Sequence, residues 1–307
     1  MAAEYQDPDW RVVDYQAYCL DEAIIDPSTK RALHIRGPRA AHLARGSYFA
    51  CLGAAQTFGR FCDRPFANLL AERLNIPVLN ISHGGAGPAF FYDSEKLLSY
   101  LNDACFVVLQ VMSGRSESNS IFESDGVGFY RRRSDGREMG CDQAFAELLN
   151  TQSRATVKLI VDETRQSWIA SNRKLVSRIR PPKILFWFST RTPDYAESWG
   201  RLGSLFGAFP QLVNRRMVDE VRRHCDCYVE CVTKRGLPQV LRDRFTGERV
   251  TISDRWTAQP WNENWYYPSP QMHEDAANAL ERTCRDLLDS GAHSSPMSHA
   301  STSAGGR

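Results

Sequence analysis

The stretch CLGAAQTFGR, Cys51 to Arg60, decides the fold. An apolar run ends at Gly53, two alanines follow, and a short polar turn leads through Gly59 to Arg60. Read outward, YFACLG (residues 48–53) has the composition of a strand, and FANLLAERL (66–74) has the spacing of an amphipathic helix. The quoted stretch is therefore a strand-to-helix turn. The pattern then repeats: PVLNI is a second strand, DSEKLLSYLND a second helix with Asp93 or Ser94 as its N-cap, and FVVLQVM a third strand. A long helical segment falls within 143–179, followed by the strand KILFWFS (183–189) and the helix PQLVNRRMVDEVRRH (210–224), with proline near its first turn. CYVECV (227–232) is a fifth strand, and HEDAANALERTCRDLL (273–288) closes the pattern as a helix.

Strands alternating with helices predict an α/β fold of three layers, αβα, because each parallel crossover returns over the sheet and a helix does so while burying its apolar stripe. The expectation is a mostly parallel five-stranded sheet in the order 2-1-3-4-5, occupying residues 46–289. Residues 1–45, with IRGPR at 35–39, form an N-terminal extension packed on the core, and 290–307 a low-complexity tail expected to be disordered. Long insertions follow the third strand (114–140) and the fifth (234–270), and their aromatic content argues for ordered covers.

Bulk composition narrows the function. A net charge of +2 offers no field for nucleic acid, and the longest apolar run, ACFVVLQVM, is far short of the roughly 20 residues that cross a bilayer. The acidic start MAAEYQDPDW is unlike a signal peptide, so a cytoplasmic location is expected, with the nine cysteines reduced. His224, Cys225, Cys227 and Cys231 lack a metal-knuckle spacing, so neither metal nor cofactor is expected.

In open sheets of this order, ligands bind beyond the carboxyl ends of the strands. The loops there carry Gln56, Thr57 and Arg60 after the first strand, Asn80 and the turn HGGAGP around Gly85 after the second, and Ser113, Arg115, Ser116 and Asn119 after the third. These are the candidate ligand-binding residues. Glycines in HGGAGP either expose N–H groups to an oxyanion or supply a turn that needs positive φ. Arg131–Arg133 beside SDG read as a solvated hairpin tip, and His83 as a solvent-facing loop residue. The aromatic segment WTAQPWNENWYYP (256–268) either roofs the crevice or packs the insertion onto the core.

CLGAAQTFGR together with the later YPSPQMHEDAANALE resembles the first and last blocks of SGNH (GDSL-type) hydrolases: Gly53, Thr57 and Gly59 match the first block and His273 the last. GAAQTFGR, QVMSGRSESNS and YPSPQMH are closer still to a bacterial SGNH-like family without an assigned activity. The resemblance implies the same fold. It also implies a degenerate site, because Ala55 stands at the nucleophile position, Ala54 at the neighbouring acid, and Pro270 where the acid partner of the histidine would be. Alanine cannot attack a carbonyl, so the ordinary serine esterase route is excluded. A relocated pair, Ser113 or Ser116 with His273, is one expectation; serines that merely cap turns are the other. The functional expectation is a hydrolase or group transferase acting on a glycan-related or anionic small molecule by a non-standard mechanism. A non-catalytic binding or scaffold protein of surface-polysaccharide assembly is the alternative.

Overall fold

The computed structural model describes residues 4–5, 8–40, 42–253 and 259–292. The chain opens with a small antiparallel sheet of β1 (Glu4–Tyr5), β2 (Gln16–Cys19) and β3 (His34–Arg36). β4 (Phe49–Gly53), α1 (Ala55–Phe58), α2 (Phe66–Leu74), β5 (Val78–Ser82), α3 (Glu95–Asp103) and β6 (Val107–Gln110) follow. The first insertion carries β7 (Phe122–Glu123), β8 (Phe129–Arg132) and β9 (Glu138–Gly140), and leads into α4 (Cys141–Thr151) and α5 (Arg154–Arg178). Next come β10 (Lys183–Ser189), α6 (Leu202–Phe206), α7 (Arg215–Arg222) and β11 (Cys227–Val232). The second insertion has β12 (Gln239–Val240), β13 (Ile252–Ser253), β14 (Pro260–Trp261) and β15 (Glu263–Asn264), before α8 (Pro270–Ala292).

The main sheet runs β11-β10-β6-β4-β5 with every pair parallel, which is the expected 2-1-3-4-5 order. Its central strands β4, β6 and β10 are buried almost throughout because both faces are covered, whereas the edge strand β11 is part exposed and carries Glu230. Along β4, Phe49 and Cys51 pack with Phe66, Leu70, Ala276 and Leu280 of α2 and α8. Ala50 and Leu52 point the other way, into the core with Leu98, Trp168, Leu175 and Val218 of α3, α5 and α7. Each such large side chain removed from water contributes about 1.5–3 kcal/mol.

Three boundaries differ from the sequence reading, each for a local reason. The expected helix over 143–179 is two helices, because the Ser153 hydroxyl accepts from Thr156 N and starts α5 afresh. α7 begins after Asn214, whose side chain caps Met217 N; Pro210 lies outside it in a turn. α8 begins at Pro270 and runs to Ala292, past the expected end of the domain at 289. The remainder of the expected tail, 293–307, lies outside the described residues, as does Trp256.

The N-terminal segment is anchored by Arg36. Its buried guanidinium donates to the carbonyls of Phe58, Gly59, Cys62 and Asp63, closing the open carboxyl end of α1 and the turn beyond it.

Candidate functional site

At the carboxyl ends of β4, β5 and β6 the polar residues divide into two groups. The first is a knot in which only part of the capacity is spent, since Gln110 Nε2 is buried without a partner. Gln110 Oε1 accepts from Ala54 N at 2.9 Å and from Thr57 Oγ1 at 2.7 Å. Asn80 Nδ2 donates to the Thr57 carbonyl at 3.0 Å, and Asn80 Oδ1 accepts from Ser82 Oγ at 2.6 Å. Thr57 and Asn80 thus have their bonding capacity used in tying α1 to β5 and β6. Gly53 is needed here because a Cβ at that position would stand 2.3 Å from Thr57 Oγ1 and 2.4 Å from Gln110 Oε1. Gln110 escapes a motif search, though a lone amide in an apolar strand is a usable signal, since a buried polar group needs a partner.

The HGGAGP turn belongs to the same closed region. The N–H groups of His83, Ala86 and Gly87 bond to the carbonyls of Gly53, His83 and Gly126, and Ala89 N to the Glu117 carboxyl. The Gly85 carbonyl accepts from Ser116 Oγ at 3.1 Å, and its φ of +79° is the left-handed conformation glycine serves. Ser113 Oγ accepts from Arg115 N. Both serines therefore act as turn and cap residues. Asn119 is also occupied: its Oδ1 accepts from Ile121 N and Phe122 N, and its Nδ2 donates to Thr164 Oγ1.

His273 is held apart from these serines. Pro65, at the N-cap of α2, offers no side-chain oxygen, and His273 Nδ1 accepts the Phe66 N–H at 3.2 Å in its place. The imidazole is fully buried against Phe66 and Phe188, and Nε2 has no hydrogen-bond partner. The expected pairing with Ser113 or Ser116 is not made. Burial pushes the His273 pKa down to about 3, with Arg36 adding to the effect, so the ring is neutral and serves as a cap joining α8 to α2.

In the second group the buried Gln56 Oε1, Arg115 Nε and Gln211 Oε1 have no hydrogen-bond partner. Arg60, 7% exposed, stands 3.6 Å from the fully buried Asp14 and lies over the rings of Trp10 (5.0 Å) and Tyr267 (5.7 Å). Arg115 pairs with Asp142, and its Nε is buried without a hydrogen-bond partner. Burial holds the Tyr267 phenol up at about 12, while Arg60 and Arg115 both pull it down, so the ring lies in the field of both cations. Gln211 receives Gly114 N on its carbonyl and donates from Nε2 to the Tyr266 hydroxyl, which leaves its buried Oε1 unpartnered. Gln56 Oε1 is buried and unpartnered too. Trp10, Phe61, Trp261 and Tyr267 pack into one cluster, so the N-terminal segment and the second insertion meet over Arg60.

Glu117 escaped the sequence reading because a carboxylate among serines looks like surface. It is buried, accepts from Ser171 Oγ at 2.7 Å, and its pKa is pushed up to about 8 by burial. The basic run at 131–133 is a hairpin edge whose Arg131 and Arg132 pair with Glu123 and Glu147. A groove of about 640 Å³ lies between the first insertion and α5, lined in part by Ser118, Arg133, Leu159 and Glu163, and excludes the Arg60 group. Among the described residues no group of three or more His, Cys, Asp or Glu side chains is placed to hold a metal ion, and no helix is long and apolar enough to cross a membrane.

The family model described as Domain of unknown function (DUF6473) matches residues 26–133 and 142–288. The chain belongs to that family. The match takes in β4 to β6, the knot, both arginines of the mouth and His273, while Asp14 and Trp10 precede it. No curated protein matches this DUF6473 member. Similar solved structures include a family two carbohydrate esterase from Clostridium thermocellum in complex with cellohexaose, 12% identical with a TM-score of 0.38 over 84% of this chain and 68% of that one. Phospholipase A1 from Streptomyces albidoflavus NA297 is 11% identical, with a TM-score of 0.44 over 79% and 99% of the two chains. The acetyl xylan esterase Est2A from Butyrivibrio proteoclasticus is 11% identical, with a TM-score of 0.43 over 84% and 67%. The chemistry of this DUF6473 chain is accordingly read from its own residues.

Proposed function

We propose that this protein binds a small anionic or glycan-related molecule at the mouth formed by Gln56, Arg60, Arg115, Gln211, Tyr266 and Tyr267, and processes it as a hydrolase or group transferase without a serine nucleophile. One arrangement carries the reading: the buried Arg60 guanidinium lies over the Tyr267 ring, and Gln211, whose Oε1 is buried without a partner, bonds to the neighbouring Tyr266 hydroxyl. Buried amide oxygens left without donors cost about 1–3 kcal/mol each, a cost that a ligand's hydroxyl groups would offset. Cations beside them suit a carboxylate, phosphate or sulfate on the same molecule.

Ala55 and the phenylalanine-packed His273 together argue against serine–histidine ester cleavage. The alternative, a purely binding protein, shares the mouth and differs in turnover. Thermal melting against sugar acids, sugar phosphates and acetylated sugars tests the reading. A matching ligand at about 100 times its Kd adds roughly 2.7 kcal/mol to stability. Arg115→Met is expected to abolish that rise while leaving the unliganded melt nearly unchanged, because its partner Asp142 has a side chain 58% exposed. Unaltered ligand response in Arg115→Met would refute the proposal.

A further inference from the structure

We propose that the hairpin at residues 241–250, in the second insertion, docks the protein on an anionic lipid surface. Leu241 N donates to the Asn262 carbonyl, which continues the β12–β15 ribbon, and the returning Val250 N donates to the Leu241 carbonyl at 3.1 Å. Asp243 makes the turn between them. Its Oδ1 accepts from Phe245 N at 2.7 Å and Thr246 N at 3.1 Å, and its carbonyl accepts from Gly247 N at 2.7 Å. The base of the hairpin is fixed: Leu241 is buried in the cluster of Trp10, Val13 and Phe61, and Arg244 N donates to the Val12 carbonyl at 2.8 Å.

Two features of this rigid hairpin are unfavourable in water alone. Arg242 and Arg249 oppose each other across it. The flanking bonds, Asp243 N to the Glu248 carbonyl at 2.8 Å and Val250 N to the Leu241 carbonyl, make them an antiparallel pair of the close, non-hydrogen-bonded kind, in which both side chains leave on one face. Like charges so placed repel. Both arginines are exposed; Arg242 donates to the Gly247 carbonyl, and neither forms an ion pair among the described residues.

The second feature is Phe245, which stands in the turn and is 67% exposed. A lone exposed ring is ordinary. This one has the Arg244 guanidinium 4.4 Å from its centre, and Arg244 Nε bonds at 3.0 Å to the carbonyl of Arg11, itself exposed. Within the hairpin three arginines stand against Asp243 and Glu248, and Asp243 spends one oxygen on the turn.

The ring decides which kind of anionic partner fits. A soluble polyanion would satisfy the guanidinium groups and leave the phenyl ring in water. A lipid surface takes both, because phosphates receive the arginines while the ring enters the boundary between headgroups and acyl chains. An aromatic side chain on a turn suits such a deformable surface, whereas a peptide partner would need a groove to lie in. The chain would rest on the membrane by this tip, which is compatible with no described helix being long and apolar enough to cross one.

The test is sedimentation of the full chain with vesicles of phosphatidylcholine, alone or with about 30 mol% phosphatidylglycerol. Binding is expected to the anionic vesicles only, and to weaken as salt rises. Joint Arg242→Gln and Arg249→Gln should lower affinity about 30-fold, at roughly fivefold for each charge. The same pair of substitutions should leave the melting temperature unchanged or slightly raised, because it removes a like-charge contact. Phe245→Ser should weaken binding about tenfold or more. In Phe245→Trp the added indole emission should be quenched by lipids brominated in their acyl chains.

Absence of binding to the anionic vesicles at low salt would overturn the proposal, as would affinity that survives both the arginine pair and Phe245→Ser. Unquenched indole emission in vesicle-bound Phe245→Trp would do the same. Salt-sensitive binding to dextran sulfate with none to vesicles would assign the hairpin to a soluble polyanion instead. These substitutions leave the residues of the ligand mouth in place, so the ligand-dependent melt tests that reading separately.

Discussion

The knot of Thr57, Asn80, Ser82 and Gln110 and the mouth of Arg60, Arg115, Gln211 and Tyr267 are built from loops at the same end of one sheet, yet they do opposite things. In the knot, three side-chain bonds of 2.6–3.0 Å join Thr57, Asn80, Ser82 and Gln110, and the geometry is that of a fastening. In the knot Gln110 Nε2 is left buried without a partner, and in the mouth Gln56, Arg115 and Gln211 each keep such an atom. A polar residue at a strand's carboxyl end is thus informative about ligands only once its existing hydrogen bonds are counted.

The sharpest way to break this comparison is pH, because two fastening residues are held neutral and titrate in opposite senses. Glu117 has its pKa raised from 4.5 to about 8, so the folded state holds its proton more tightly than the unfolded state. Its contribution to stability is fully present below the unfolded value and is lost as pH rises through about 8, a swing on the order of 4 kcal/mol. Glu117→Gln should therefore flatten the alkaline side of a stability profile measured by urea unfolding. His273 has its pKa lowered from 6.5 to about 3, so its contribution is present above the unfolded value and lost as pH falls toward 3. The magnitude is again on the order of 4 kcal/mol, and His273→Phe should flatten the acid side. If either substitution left its limb of the profile unchanged, that group would not be held neutral by the fold.

Next in size is Gly53→Ala. The added methyl meets two oxygens of the knot, and a loss of about 3 kcal/mol is expected in the same assay, from overpacking and a broken buried hydrogen bond. Asn80→Ala removes two bonds without a clash and should cost about 2 kcal/mol. The smallest expected effect on stability is that of Arg115→Met, within about 0.5–1 kcal/mol, the range of an ion pair to an exposed partner. Comparing Asn80→Ala with Arg115→Met sharpens the division directly, since the first should lower the melt and keep the ligand response, and the second the reverse. A shared response would merge knot and mouth into one unit.

Much of the fold is legible in the sequence for a simple reason. A strand covered on both faces is apolar almost throughout, so KILFWFS emerges with the boundaries Lys183–Ser189, and the β-prone CYVECV at the sheet edge with Cys227–Val232. The α2 boundaries, Phe66–Leu74, follow equally from periodicity. Helix starts were less legible, because Ser153 and Asn214 act as caps through hydrogen bonds that compete with continuing the same helix. The candidate site was legible as a place and much less so as a set of roles. Gln56, Arg60 and Arg115 belong to the proposed mouth, whereas Thr57, Asn80, Ser113, Ser116 and Asn119 make hydrogen bonds within the fold. Asp14, Asp26 and Gln211 carried no signal, since each acts on residues more than thirty positions away in sequence.

By itself, the sequence determined the layers, the order of the elements and the absence of a hydroxyl at residue 55, because local periodicity and residue identity suffice for all three. Tertiary structure alone decided which polar side chains are already satisfied. Hydrogen bonds and burial depend on what the chain brings near from elsewhere, as Phe66 N meets His273 and Asp26 meets His83.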